Sequence, residues 1–68
     1  MWTELKNCHE GDYIKAWFLG NKDPENSSDS NWHRIYTLEK KHNGSYYVAI
    51  EGWRGGEVTG TEDVYVMK

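Results

Sequence analysis

The residue types able to do chemistry are few and scattered along this chain. Cys8-His9-Glu10 sets a thiol, an imidazole and a carboxylate side by side. A metal needs ligands that converge, whereas neighbours on an extended chain point to opposite faces, and no second cysteine or spaced histidine pair completes a tetrahedral set. Cys8 with His9, His33 or His42 would make a nucleophile and base only beside an orienting group and an oxyanion loop, and the sequence names neither. Gly52-Trp53-Arg54-Gly55-Gly56 is glycine-rich, but it lacks the Lys-Ser or Lys-Thr ending and the following helix of a phosphate cradle. The expectation is a protein that is not an enzyme, with no catalytic residue, no metal and no cofactor. Aromatic residues dominate instead: four Trp, five Tyr and one Phe, each bringing roughly 150–250 Å² of surface that can be buried in a core or presented at a rim.

Charge narrows the partners. Eight Lys and Arg stand against eleven Asp and Glu, a net charge of −3, so the overall field repels a phosphate backbone and nucleic-acid binding is disfavoured. Lys40-Lys41-His42 falls at an expected hairpin tip, where solvated charge discourages edge-to-edge association. The single cysteine, Cys8, allows no internal disulfide, and there is neither a leader pattern nor a long apolar run. A cytoplasmic protein with no membrane segment is therefore expected. Asn26-Ser27-Ser28 and Asn43-Gly44-Ser45 match glycosylation acceptors, and in that setting they read as loop and turn residues.

The elements that must position the aromatics read as strands. A chain of 68 residues has room for one domain with a modest core, here 1–68. Strands are expected over 11–20, 32–40, 45–51, 57–59 and 63–67, with a polar loop over 21–31. In the first, Ile14, Ala16 and Phe18 alternate with Tyr13, Lys15, Trp17 and Leu19, as a period of two requires. The loop holds Asn, Asp, Ser, Glu, Lys and the only proline, with no apolar residue to anchor it, and is expected to be exposed and mobile. Residues 1–10 fit either one helical turn or a lead-in packed beneath the sheet. Trp53-Arg54-Gly55-Gly56 is expected to turn.

Register can be argued for the central hairpin. A three-residue loop, His42-Asn43-Gly44, pairs residues whose numbers sum to 86 and sets Leu38 opposite Val48, Tyr36 opposite Ile50 and Lys40 opposite Tyr46. That gathers the apolar and aromatic groups on one face, and Gly44 supplies the left-handed residue of a type I turn with a G1 bulge. The expected core is Ile14, Ala16, Phe18 or Trp17, Tyr36, Leu38, Val48, Ile50, Val58, Val64 and Val66. Five strands with tight turns and no long helix describe an all-β, single small five-stranded antiparallel SH3-like barrel.

Gly11-Asp12 with Ala16-Trp17-Phe18, then Trp32-His33-Arg34-Ile35, then Val48-Ala49-Ile50-Glu51-Gly52-Trp53, Gly56-Glu57 and Asp63-Val64 resemble the Tudor domain. The resemblance spans residues 11–66 apart from the polar insertion. It implies a Tudor-like barrel whose aromatic cage holds a methylated Arg or Lys side chain. Carried over residue by residue, Trp17 or Phe18 would form one wall, Trp32 or His33 a second and Trp53 a third, with Glu51 and Glu57 offering carboxylates to the cation. Where the family carries a further aromatic, this chain has Ile50. The family would also turn Ile35 inward, against the Tyr36 of the hairpin register, and a bulge near 35–37 would reconcile the two.

The function expected from these residues is a non-enzymatic binding module that recognises a protein or peptide partner through an aromatic rim, including a cationic or methylated side chain. Trp and Tyr dominate interaction hot spots. A stand-alone inhibitor or regulator of the kind mobile elements encode, and a carbohydrate binder stacking sugars on Trp, are the alternatives.

Overall fold

The computed structural model describes residues 1–25 and 31–67. Regular structure there is all β apart from three single-turn 3-10 helices. The strands are β1 (Trp2–Glu4), β2 (Tyr13–Lys15), β3 (His33–Lys40), β4 (Ser45–Ile50), β5 (Trp53–Thr59) and β6 (Asp63–Val66). They form one antiparallel sheet in the order β1-β6-β2-β3-β4-β5. The two outer strands, β1 and β5, are not paired with each other, so the sheet is open.

The long strand β3 is shared between two half-sheets. Its first residues pair with β2, Tyr13 with Arg34 and Ile14 with His33, and the rest pair with β4. The hairpin register is the one its apolar pattern requires, with Leu38 opposite Val48 and Lys40 opposite Tyr46. Between Ile35 and Thr37 the register shifts. An extra residue in one strand reverses which side the next side chain faces, so Ile35 is fully buried while Tyr36 is 53% exposed. Tyr36, expected in the core, is therefore displaced by Ile35 at the bulge. In the hairpin loop Gly44 has φ 74° and Asn43 has φ 59°. The expected type I turn with a G1 bulge needs only the glycine left-handed; here asparagine joins it, which its short polar side chain tolerates.

Several expected boundaries are corrected. The strand expected over 11–20 ends at Lys15, and Trp17–Leu19 form a 3-10 turn. The Asn21 carboxamide holds that turn, accepting from the Ala16 N–H at 2.9 Å and donating to the Asn31 carbonyl at 3.1 Å. The strand expected over 57–59 begins at Trp53, because the chain reverses one step earlier, at Glu51-Gly52, where Ile50 pairs with Trp53. The glycines expected to turn after Trp53 instead lie within β5, where the register with β4 shifts between Val48 and Ile50. Residues 1–10 supply a sixth strand, so the five-strand count is exceeded by β1. In the polar segment Asn21 and Pro24 are buried, since a hydrogen-bonded amide and a proline ring can be covered without an aliphatic anchor, whereas Lys22, Asp23, Glu25 and Asn31 are exposed as expected; residues 26–30, with the Asn26 acceptor motif, lie outside the described residues.

One cluster draws on both half-sheets: Leu5, Cys8, Ile14, Ala16, Val64 and Val66 from one, Ile35, Val48 and Ile50 from the other. Phe18, Leu19, Leu38, Tyr46, Trp53 and Val58 pack against it, partly buried. Leu5 is set into this core by the 3-10 turn after β1, whose N–H groups bond the β5–β6 turn: Leu5 to Glu62 O and Lys6 to Gly60 O, each 2.9 Å. Gly60 in turn donates to Gly44 O at 2.8 Å. A Cβ on Gly60 would lie 2.6 Å from the Tyr46 ring and 2.9 Å from Gly44 O, so this junction between chain start, hairpin tip and final turn closes only over a hydrogen atom.

Candidate binding site

Strand alternation puts a second set of large side chains on the face of β1, β6 and β2 that points away from the core. Val64, Val66 and Ile14 are buried inward, so Tyr65, Trp2 and Lys15 project outward. The register aligns them: Trp2 is opposite Tyr65, and Tyr65 is opposite Lys15. Continuing the Ile14–His33 pairing by one residue brings Trp32 beside Lys15. The rings meet accordingly. Trp2 approaches Tyr65 edge to face at 5.4 Å, Trp32 stacks on Tyr65 at 6.2 Å, and Trp17 stacks on Trp2 at 5.1 Å with 16° between planes.

Lys15 completes this row. Its side chain is only 1% exposed, and its Nζ lies 4.6 Å from the centroid of the Trp32 ring. An ammonium over an indole face is worth about 0.5–2 kcal/mol, more as water is excluded. One aromatic face is thus already occupied by a cation of the chain itself. At the other end Trp17 is 58% exposed, although its inner face rests on Trp2. The Trp2 indole N–H donates to the Glu25 carboxylate, which fixes that ring from the edge. Beside this stack lies an open hollow of about 200 Å³ lined by Trp2, Trp17 and Asp63. A second, of about 150 Å³, is lined by Met1, Trp32, Tyr65, Val66 and Met67.

The residues expected to form one cage are placed in separate environments. Trp17 and Trp32 stand at opposite ends of the outer row. Phe18, next to Trp17 in sequence, turns the other way and meets Trp53 edge to face at 5.4 Å, both rings packing against the core. His33 Nδ1 lies 2.8 Å from the Glu51 carbonyl oxygen, and with the proton on Nδ1 it donates there. The Glu51 carboxylate accepts from the Tyr36 hydroxyl at 3.4 Å. Glu57 is exposed on β5, opposite Tyr47. The residues missed by sequence reasoning are Trp2, Tyr65, Lys15 and Asp63. Their signal was the outward parity of the last strand; what hid it was the pairing of that strand with the chain's first residues.

The other candidates stay apart. Cys8 is buried with its thiol 3.9 Å from the Glu4 carbonyl oxygen, while the exposed His9 ring lies 4.0 Å from Asp12. Among the described residues no three His, Cys, Asp or Glu side chains gather as metal ligands, and no helix is long and apolar enough to cross a membrane.

No protein-family model matches this chain, and comparison with curated proteins and with solved structures finds no match.

Proposed function

We propose that this chain is a non-enzymatic binding module that engages a protein or peptide partner through the aromatic rim around Trp17. The observation that carries the reading is a large indole left 58% exposed at the end of a packed aromatic row, beside a hollow bearing a carboxylate. A single exposed apolar residue is ordinary. A ring held by a stack and a clamped turn is different: little conformational entropy remains to be lost when a partner covers it, and Trp is the residue most enriched at binding hot spots. The finer fold in this reading is a small SH3-like, Tudor-like barrel with β1 added beside β6. Support comes from the bulged β3 shared by two half-sheets and from the core enclosed between them. The module acts in the cytoplasm.

Tryptophan fluorescence titrated with short basic and acidic peptides, soluble oligosaccharides and single-stranded DNA tests this reading. A response to peptides that Trp17→Ala removes, with the circular dichroism spectrum retained, is the expected result. A response confined to oligosaccharides or DNA would refute it, as would peptide binding unaffected by Trp17→Ala.

A further inference from the structure

We infer that the hollow formed by Trp2, Trp17 and Asp63 receives the unmethylated guanidinium of an arginine side chain in the partner, an inference that rests on the aromatic-rim reading above. The first ground is a charge imbalance built into the strand pairing. Glu4 and Asp63 are directly opposite on β1 and β6, on the same outward face as Trp2 and Tyr65. Like charges in that arrangement repel. Lys6 answers one of them, its Nζ 3.4 Å from the Glu4 carboxylate. Among the described residues no ion pair involves Asp63, and this is the carboxylate that lines the hollow.

The second ground is shape. The two indoles are nearly parallel, 16° apart, and Trp17 offers flat ring surface to solvent next to Asp63. A planar, delocalised cation can lie along an indole and still direct two parallel N–H groups at one carboxylate. An ammonium offers a compact point charge without the fork. The chain itself shows the ammonium solution at the other end of the row, where Lys15 Nζ sits over Trp32 with its stem fully buried along the sheet. The Trp17 end is open and flanked by an acid. Methylation would keep the positive charge but block N–H donors that the fork needs. The site is also held in place before binding: the Trp2 N–H is fixed by Glu25, and the Asn21 side chain ties the Ala16 backbone, just ahead of the Trp17 turn, to that of Asn31.

The test uses peptides identical except for one central residue, Arg, Lys or dimethylated Arg, titrated calorimetrically against the full chain and its Asp63→Asn and Trp17→Ala variants. The Arg peptide is expected to bind about tenfold tighter than the other two, the scale of one charge-assisted bidentate contact. Asp63→Asn, on an exposed position, should erase that preference while leaving a weaker, ring-dependent affinity common to all three. Equal binding of the three peptides, unchanged by Asp63→Asn but lost in Trp17→Ala, overturns the guanidinium assignment and leaves the rim reading standing. The same holds if the dimethylated peptide binds tightest. Binding of the Arg peptide that survives Trp17→Ala overturns the rim reading itself, and no binding of any peptide overturns the guanidinium assignment.

Discussion

The two faces of the half-sheet made by β1, β6 and β2 are built from opposite materials. The inner face is aliphatic, with Ile14, Ala16, Val64 and Val66 closed over by Leu5. The outer face is aromatic and charged, with Trp2, Tyr65, Trp32 and Trp17 in contact and a lysine threaded among them. β2 and β6 supply both sets through their alternation, Ile14 against Lys15 and Val64 and Val66 against Tyr65, and β1 adds Trp2 by pairing with β6, so one register fixes the core and the outer row together. The difference lies in what is left over. The inner face has no exposed remainder, whereas the outer row ends in an indole more than half in solvent. On the proposed reading stability is concentrated inside and recognition outside, and substitutions on the two faces should separate these quantities.

The largest effect belongs to the inner face. Ile14→Ala removes a fully buried side chain from a core with few others, and such truncations cost about 2–5 kcal/mol. A domain of this size has a net stability of only a few kcal/mol. Chemical denaturation should show the variant unfolded or nearly so at 25 °C; a midpoint close to wild type would mean that the faces are not distinguished as described.

Trp53→Ala comes next, at about 3 kcal/mol, within the range for removing a large packed aromatic. Its ring meets Phe18 and the core, so the expected readout is a lowered melting temperature. If Trp53→Ala instead melts like wild type while losing its partner, the recognition surface is the inner end of the sheet and the comparison inverts.

How far the sequence revealed this division follows from the range of the interactions. The β3–β4 register was legible because two apolar patterns are joined by a short loop ending in Gly44, so local geometry and burial agree. The bulge at 35–37 was legible because two requirements on neighbouring residues could not both be met without one. Trp2-Thr3-Glu4 was not: three residues carry too little periodicity to tell strand from turn, and the partner, β6, is some sixty residues away in the chain, a span read directly from the pairing of Trp2 with Tyr65. The row on the outer face depends on that pairing, and so the candidate site was missed where the core was largely found. Gly55-Gly56 misled for a different reason, since glycine marks close backbone approach within sheets as well as turns.

Gly60→Ala tests the junction that brings β1 to its place. The added methyl would meet the Tyr46 ring and the Gly44 carbonyl, and overpacking of this kind costs about 1–3 kcal/mol. Amide exchange should show faster opening at Leu5 and Lys6, whose N–H groups bond this turn, than in the β3–β4 hairpin. Uniform acceleration along the chain would indicate that the junction is not a separate weak point. Gly44→Ala, at a residue with φ 74°, should cost about 1 kcal/mol through backbone strain alone, checked by the shift in denaturation midpoint.

The smallest effect on stability is expected at Trp17, and it sharpens the comparison most. Its inner face contributes a stacking contact with Trp2, worth about 0.5–1.5 kcal/mol for an aromatic pair. Truncation also relieves water of an exposed indole, so the net loss for Trp17→Ala should stay below about 1 kcal/mol. Trp17→Phe should be closer still to neutral, since a ring remains to cover Trp2. Affinity for the partner should fall in the reverse proportion: about 2 kcal/mol or more lost in the Ala variant, as for a hot-spot tryptophan, and less in the Phe variant, which keeps a flat π-face of weaker cation attraction. Melting curves and titrations on the same two proteins provide the check. A Trp17→Ala variant that loses several kcal/mol of stability would make the outer row a second core, with its exposed end a packing remainder rather than a binding surface.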